Sequence, residues 1–448
     1  MAKKGVMSKI TKELNNIAIP LIIQSISGLF IGLTDQAMVG RISIFAFGAA
    51  GVIVSLLFMV AGVLGSISVI FNINAGKSIG KGDNEDFQDE FASSLIVNFC
   101  IGFLFFLIII IFKKIILRTL FGFDGEILDE AIKYANIMSI YLLIQLLLFN
   151  FNSFFKIQKK TKWILIGSVI SSLINLALDY ILIFGKLGFP QLGVTGAALG
   201  SIIALLINLL IYVIVCWKNI KIRFGNFHIY KSKTFVYIKD SIPLMGQEIL
   251  EGSVFVIAVN AIVARIGVIE LSSYLILVQL VNILLMPMFM YGSAALTLVS
   301  QSVGVENEEE LKAIPKVGML ISTSIYIVLG IVFIALRDLL PKIISNEMNV
   351  ISYTSSILFL MIFAHLFNPI ATVLRYSLQS IGLSKYVLFI TAIINLLVLV
   401  IMLILVNLLN LRIYGIFISL CINYLLTATS YWIKYFIQNK RVIEKIPT

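Results

Sequence analysis

The sequence predicts an all-α polytopic membrane protein: twelve transmembrane helices in two six-helix lobes, related by a pseudo-two-fold axis along the membrane normal. Three observations carry that expectation. Hydrophobic residues make up 60% of the 448 and charged residues only 13%, where a soluble globular chain carries about a quarter charged; mean hydropathy is +1.04. The apolar residues gather into twelve runs, each near the roughly twenty residues that one bilayer crossing needs. Short motifs then return after about half the chain.

The first run, Ile17–Val39, follows a tail carrying Lys3, Lys4, Lys9 and Lys12 and contains no small-residue cleavage site. It is expected as a retained span and not a removed signal peptide. Gly48–Ala75, Ser93–Phe112, Ala135–Phe155, Trp163–Phe184 and Val194–Trp217 complete a first set of six. Ile242–Ala264, Leu271–Gln301, Val317–Leu336, Ile351–Leu378, Tyr386–Asn410 and Ile413–Ile433 form a second. Twelve crossings put both termini on one side, and the flanks and loops of that side hold 24 of the 34 Lys and Arg residues. Basic residues in short loops resist translocation, so both termini are expected in the cytoplasm, with the chain in the plasma membrane.

The net charge of +11 does not indicate nucleic acid, because the lysines sit in short loops between apolar runs and not on one basic face. Expected partners are the lipid bilayer and a small-molecule substrate. Cys100, Cys216 and Cys421 lie far apart, without CxxC spacing or neighbouring histidines, and read as small packing residues and not metal ligands.

The repeat is read from three matches. Ile19-Pro20-Leu21 with Gln24 returns as Ile242-Pro243-Leu244 with Gln247, a shift of 223. Val39-Gly40-Arg41-Ile42 returns as Val263-Ala264-Arg265-Ile266, and Gly80 before an acidic loop returns as Gly304, each shifted by 224. Six spans per repeat is an even number, so both halves enter the membrane in the same direction and face each other across a cleft. The expected division is an N-terminal lobe over residues 1–217, a cytoplasmic loop over 218–241 and a C-terminal lobe over 242–448. The basic stretch Lys218–Lys239 reads as a solvated linker near anionic lipid.

Carboxylates inside bilayer-crossing runs are costly and are kept mainly where they face a wet cavity and act on ions or protons. Asp35, Asp179, Glu248 and Glu251 are four such acids. The first two break the repeat, since Asp35 maps onto Ala258 or Val259 and Asp179 onto the apolar run Leu396 to Val406. Both belong to spans running outward, and their positions four and five residues before the span ends set them about 6 to 8 Å below those ends. Thr195 opens the next span from the same side, and Asn175 shares a helix face with Asp179 at i and i+4. These four residues offer the hard oxygen ligands that Na⁺ accepts and a proton can replace. A buried, like-charged pair favours the neutral form, so at least one of Asp35 and Asp179 is expected to take up a proton readily unless a metal cation compensates. The structural alternative is a pair of protonated acids bonded to helix backbones.

Glu248 and Glu251, near the start of the seventh span, either attract a cationic substrate or second proton or snorkel to the interface. Glu251, a turn deeper, is the better candidate. His365, mid-span, suits a proton relay or simple packing. Arg375 reads as reaching headgroups, and Asn150 and Asn152 line the cleft or join helices. Pro20 and Pro243 fall early in their spans, as hinges or as ordinary first-turn prolines; Gly28 and Gly32 add freedom before Asp35.

No nucleotide-binding loop, HExxH or nucleophile elbow is present in the sequence. The expectation is therefore no enzyme and no cofactor, with Na⁺ or H⁺ as the coupling ion of a secondary transporter.

The segments Ile19-Pro20-Leu21 through Thr34-Asp35-Gln36-Ala37-Met38-Val39-Gly40, Asn175 through Gly185, and Leu187-Gly188-Phe189-Pro190 through Ala198 resemble the multidrug and toxic compound extrusion (MATE) family. The likeness extends over nearly the whole chain. It implies two six-helix bundles across a central cleft and Na⁺- or H⁺-coupled export of amphipathic, often cationic compounds. It also implies coupling in the N-terminal lobe at the matching positions Asp35, Asn175, Asp179 and Thr195, with Pro20 at a bend of the first helix. One branch of the family carries an acid in the tenth span, where this chain offers only His365 and Arg375, and a seventh-span glutamate that Glu248 or Glu251 matches. Two other readings stand beside the antiporter. A flippase for a lipid-linked precursor would line its cleft with several Arg or Lys, and a non-transporting scaffold would need no acids at matched depth. One pair of lobes needs no second chain, so a monomer is expected.

Overall fold

The computed structural model describes residues 2–42, 44–217 and 227–437. Every regular element there is helical: α1 Ala2–Val39, α2 Ile44–Gly80, α3 Asn84–Phe121, α4 Gly125–Met138, α5 Tyr141–Ile157, α6 Lys162–Phe184, α7 Val194–Cys216, α8 Phe227–Ile249, α9 Val256–Ala264, α10 Val268–Val305, α11 Glu308–Ala335, α12 Leu340–Ile344, α13 Met348–Ala364, α14 Asn368–Ser380, α15 Ser384–Leu403 and α16 Arg412–Trp432. Among the described residues, twelve helices are long and apolar enough to cross a membrane, as the apolar runs predict. Hydrocarbon offers no partner for a free N–H or C=O, which leaves the helix as the spanning form for such runs. Large apolar side chains such as Ile111, Leu210, Ile331 and Leu396 point outward, as a lipid-facing surface requires. Cys100 is also exposed, unlike buried Cys216.

The helices run past the apolar segments into polar flanks and stop at identifiable signals. Asp83 caps α3 by accepting from Asp86 N at 2.9 Å, and Gly122 closes the same helix in the left-handed conformation at φ 63°. Two crossings are broken. Ser139 and Ile140 separate α4 from α5, and His365 to Phe367 separate α13 from α14. The helix continuing from α8 widens into a π stretch, Leu250–Phe255, before α9. Pro20 and Pro243 lie well inside α1 and α8, so the first-turn reading is corrected: each removes a donor from the middle of a long helix. The expected linker is likewise shorter, because α8 already begins at Phe227; residues 218–226 and the side chain of His228 lie outside the described residues.

The chain divides into two compact units. The first runs from Ile19 to Ile242, and the second joins the residues up to Ala18 to those from Pro243 onward. The start of α1 therefore packs with the second half of the chain, where the sequence division had set it with the first. Ion pairs explain why. In the second unit Lys9 Nζ meets Glu310 Oε1 at 3.0 Å, Ser302 donates to the same carboxylate at 3.1 Å, and Asn307 caps α11 on Glu310 N at 3.1 Å. In the first unit Lys233 meets Asp86 at 2.7 Å, Ser78 donates to that carboxylate, and Asp83 supplies the cap. All four positions correspond at the 224-residue shift, so the repeat extends to its polar contacts. The beginning of each repeat packs against the other repeat.

The two clusters are not equal in burial. Lys233 also pairs with Glu90, whose carboxylate receives the Tyr237 hydroxyl and whose side chain is only 9% exposed, whereas Lys9 is 61% exposed. Removing one member of a buried pair leaves an uncompensated charge and costs about 3 kcal/mol, while an exposed pair is worth about 1 kcal/mol or less. Lys233→Met is therefore expected to lower the thermal midpoint of the solubilised protein well below that of Lys9→Met. Equal shifts would show that the Glu90 cluster is solvated.

Candidate functional site

In the first unit α6 and α7 lie in close contact because small residues line their shared face. Gly196, Gly200 and Ala204 recur every four residues, so a row of missing side chains lets the backbones approach. A Cβ at Gly196 would stand 2.7 Å from the Leu182 carbonyl carbon, and one at Gly200 would stand 2.2 Å from Asp179 Oδ1. Asp179 is fully buried against this strip. Its Oδ2 accepts from Asn175 Nδ2 at 3.0 Å, one helical turn earlier on α6.

Asp35, carried by α1, completes the cluster. The carboxyl groups of Asp35 and Asp179 lie within hydrogen-bonding reach of each other, yet Oδ1 of each has no hydrogen-bond partner among the described residues. Two acceptor oxygens form a hydrogen bond only when one carries a proton, and otherwise a cation must offset their repulsion. Asp35 and Asn175 border a cavity of about 500 Å³, together with Tyr134, Gln145, Asn152 and Asn208. Among the described residues lining it none is Lys, Arg or His.

Thr195 stands apart from this cluster. Its hydroxyl donates to the Leu192 carbonyl at 2.6 Å, and its neighbour Gly196 packs on Leu182 and Ile183, about one turn beyond Asp179. The structure thus brings Asp35, Asn175 and Asp179 together and leaves Thr195 satisfied by its own helix start. Tyr134 near both carboxylates is a residue that sequence reasoning missed. It precedes the apolar run Ala135–Phe155, on the charged helix α4, and only the break at Ser139 and Ile140 reveals that α4 continues the crossing.

A second cavity, about 540 Å³, lies within the second unit and is bordered by Glu248, Glu251, His365, Asn260, Arg375 and Tyr376 among others. Glu251 sits on the π stretch, a distortion frequent at functional sites. His365 caps α13, with Nδ1 against the Met361 carbonyl at 3.0 Å and its ring 4.8 Å from that of Tyr424. The headgroup reading of Arg375 is corrected. This residue is buried, only 9% exposed, and its Nη1 donates to Glu251 Oε2, because α14 turns its inner face toward the π stretch instead of toward the membrane surface.

Of the four residues grouped as a substrate or second proton site, Glu248, Glu251 and His365 share this cavity, while Asn152 borders the one in the first unit. The two neighbouring asparagines of α5 also separate. Asn150 joins helices by accepting from Ser94 Oγ at 2.7 Å, and Asn152 faces the cavity. Among the described residues no group of three or more His, Cys, Asp and Glu is disposed to hold a metal ion.

Twelve bilayer-length helices enclosing polar cavities with buried carboxylates define a polytopic membrane transporter. The MatE family model matches residues 20–181 and again 243–404, so one family unit occurs twice at the spacing of the internal repeat. The chain belongs to this family of multidrug efflux transporters. A probable multidrug resistance protein NorM from Thermotoga maritima is 22% identical over 350 residues, covering 78% of this chain and 75% of that protein. The probable multidrug resistance protein YoeA of Bacillus subtilis is 22% identical over 392 residues, covering 85% and 84%. A MATE crystallised in complex with MaL6 shares the fold with a TM-score of 0.87, at 17% identity over 97% of this chain and 98% of that one.

Proposed function

We propose that this protein is a secondary antiporter that exports small amphipathic or cationic molecules while a cation, Na⁺ or H⁺, enters through the Asp35, Asn175 and Asp179 cluster. The observation that carries the reading is the approach of two carboxylates from separate helices, Asp179 buried and Asp35 bordering a cavity that no Lys, Arg or His lines among the described residues. Such a pair holds either a shared proton or a metal cation, and losing either one restores repulsion between α1 and α6. Cation binding then favours one conformation of the protein and cargo another. For Na⁺, the two carboxylates and the Asn175 carbonyl supply oxygen ligands. Thr195 joins them only by releasing the Leu192 carbonyl.

Pro20 lies at the boundary between the two units, between the start of α1 and Asp35, where bending would couple the cluster to movement. Both termini lie in the cytoplasm, the protein works as a monomer in the plasma membrane, and it needs no cofactor and performs no enzymatic step.

Proteoliposomes loaded with a fluorescent lipophilic cation test this directly. Imposing a pH gradient and a Na⁺ gradient separately is expected to accelerate cation movement with at least one of them, several-fold over protein-free vesicles. Identical rates with both gradients absent and present would overturn antiport.

A further inference from the structure

The acids of the second cavity are arranged differently from those of the first. Both oxygens of Glu251 are taken by donors from the protein itself. Arg375 Nη1 donates to Oε2, and Gln247 Nε2 donates to Oε1 at 3.2 Å. Gln379 Nε2 donates in turn to Gln247 Oε1 at 2.9 Å. Gln247 and Glu251 are spaced i and i+4 on one helix, and Arg375 and Gln379 are spaced i and i+4 on α14, so three hydrogen bonds link four side chains of two helices. The guanidinium also lies over the Tyr376 ring, 5.0 Å from its centroid. Arg375 is thus held on Glu251 through Nη1, while its Nε has no hydrogen-bond partner among the described residues.

We propose that Arg375 is a tethered counter-ion that permanently occupies Glu251, so that the second cavity takes up no exchangeable cation at this carboxylate. The guanidinium keeps its charge at any pH the protein survives. Being attached to α14, it competes for Glu251 at an effective concentration that a dissolved cation must match. A proton or Na⁺ would also strand the guanidinium in a buried site, at the cost of an unpaired charge. The other ionisable groups facing this cavity are Glu248, His365 and the tyrosines Tyr274, Tyr376, Tyr424 and Tyr431. Glu248 is then the acid left open to the cavity. This inference rests on the antiport reading, because it assigns the exchangeable cation to the first unit alone.

The test counts bound cations on the purified full-length protein, as protons taken up on acidification and as radioactive Na⁺ bound at equilibrium. The Glu251→Gln/Arg375→Met variant removes both charges together, a change that buried pairs often tolerate without loss of stability. Its counts are expected to equal those of the unaltered protein. Arg375→Met alone is expected to gain one cation per protein, which adding Glu251→Gln removes again, and Arg375→Lys is expected to gain none. A loss of one cation in the double variant, or no gain in a folded Arg375→Met protein, overturns the proposal. Asp35→Asn in the same assay separates the two readings: an unchanged count there defeats cation binding in the first unit, whatever the Arg375 variants do.

Discussion

Asp35→Asn is expected to reduce gradient-driven efflux to the leak of protein-free vesicles while leaving the fold intact. Asparagine keeps the shape of the side chain and can donate a hydrogen bond to Asp179, so the contact between α1 and α6 survives. What disappears is the second titratable oxygen pair. Asp179, fully buried with Asn175 on its Oδ2, then has no neighbouring carboxylate with which to share a proton or coordinate a metal. Removing a like charge from a buried pair also relieves repulsion, so the thermal midpoint is expected to hold steady or rise. Transport and melting measured on one preparation check both halves of the result. Undiminished export would eliminate the proposed coupling role, and export lost together with the fold would mark Asp35 as structural.

The second large effect is expected at Gly200, which bears no functional group. An added Cβ there falls 2.2 Å from Asp179 Oδ1 and 3.3 Å from its Cγ, closer than any real contact permits. Either the carboxylate moves or α6 and α7 separate, and overpacking of this kind costs about 1–3 kcal/mol. An N–H···O bond spans about 2.7–3.2 Å, and a pair parted to about 3.6 Å no longer forms one. Gly200→Ala is therefore expected to lower coupled efflux by about tenfold or more, together with a lower thermal midpoint. Gly62→Ala provides the comparison. Nothing lies within 4 Å of that position, and alanine favours the helix by about 1 kcal/mol, so efflux is expected to stay unchanged. Full activity in Gly200→Ala would show that Asp179 need not sit against α7.

How far each site was legible follows from what a linear pattern encodes. Depth along a span is readable, because the rise per residue is fixed once the ends of an apolar run are known, and this brought Asp35 and Asp179 to one level. Depth also drew Thr195 into the group, since counting residues says nothing about where a hydroxyl near a helix start finds its acceptor. Period places Asn175 on the face of Asp179, and the hydrogen bond is there. Tyr134 was not legible, because the charges of α4 disguise it as a loop until the kink that follows is seen. Arg375 was misread for a related reason. Near the end of an apolar run an arginine normally finds water or headgroups, and only the approach of α14 to the π stretch supplies Glu251 instead.

The sequence by itself determined the solvent of this protein, its twelve helices and its duplication. Apolar runs of bilayer length leave the backbone no other way to bond itself, and a repeat is visible wherever two segments agree at one spacing. Tertiary structure alone decided which charges meet. Asp35 reaches a second carboxylate and Glu251 an arginine, although both acids stand in equivalent helices of the two repeats. A helix prescribes the height and face of its side chains but not the residues of the helix lying opposite, and that neighbour sets whether a buried acid shares its proton or is neutralised for good.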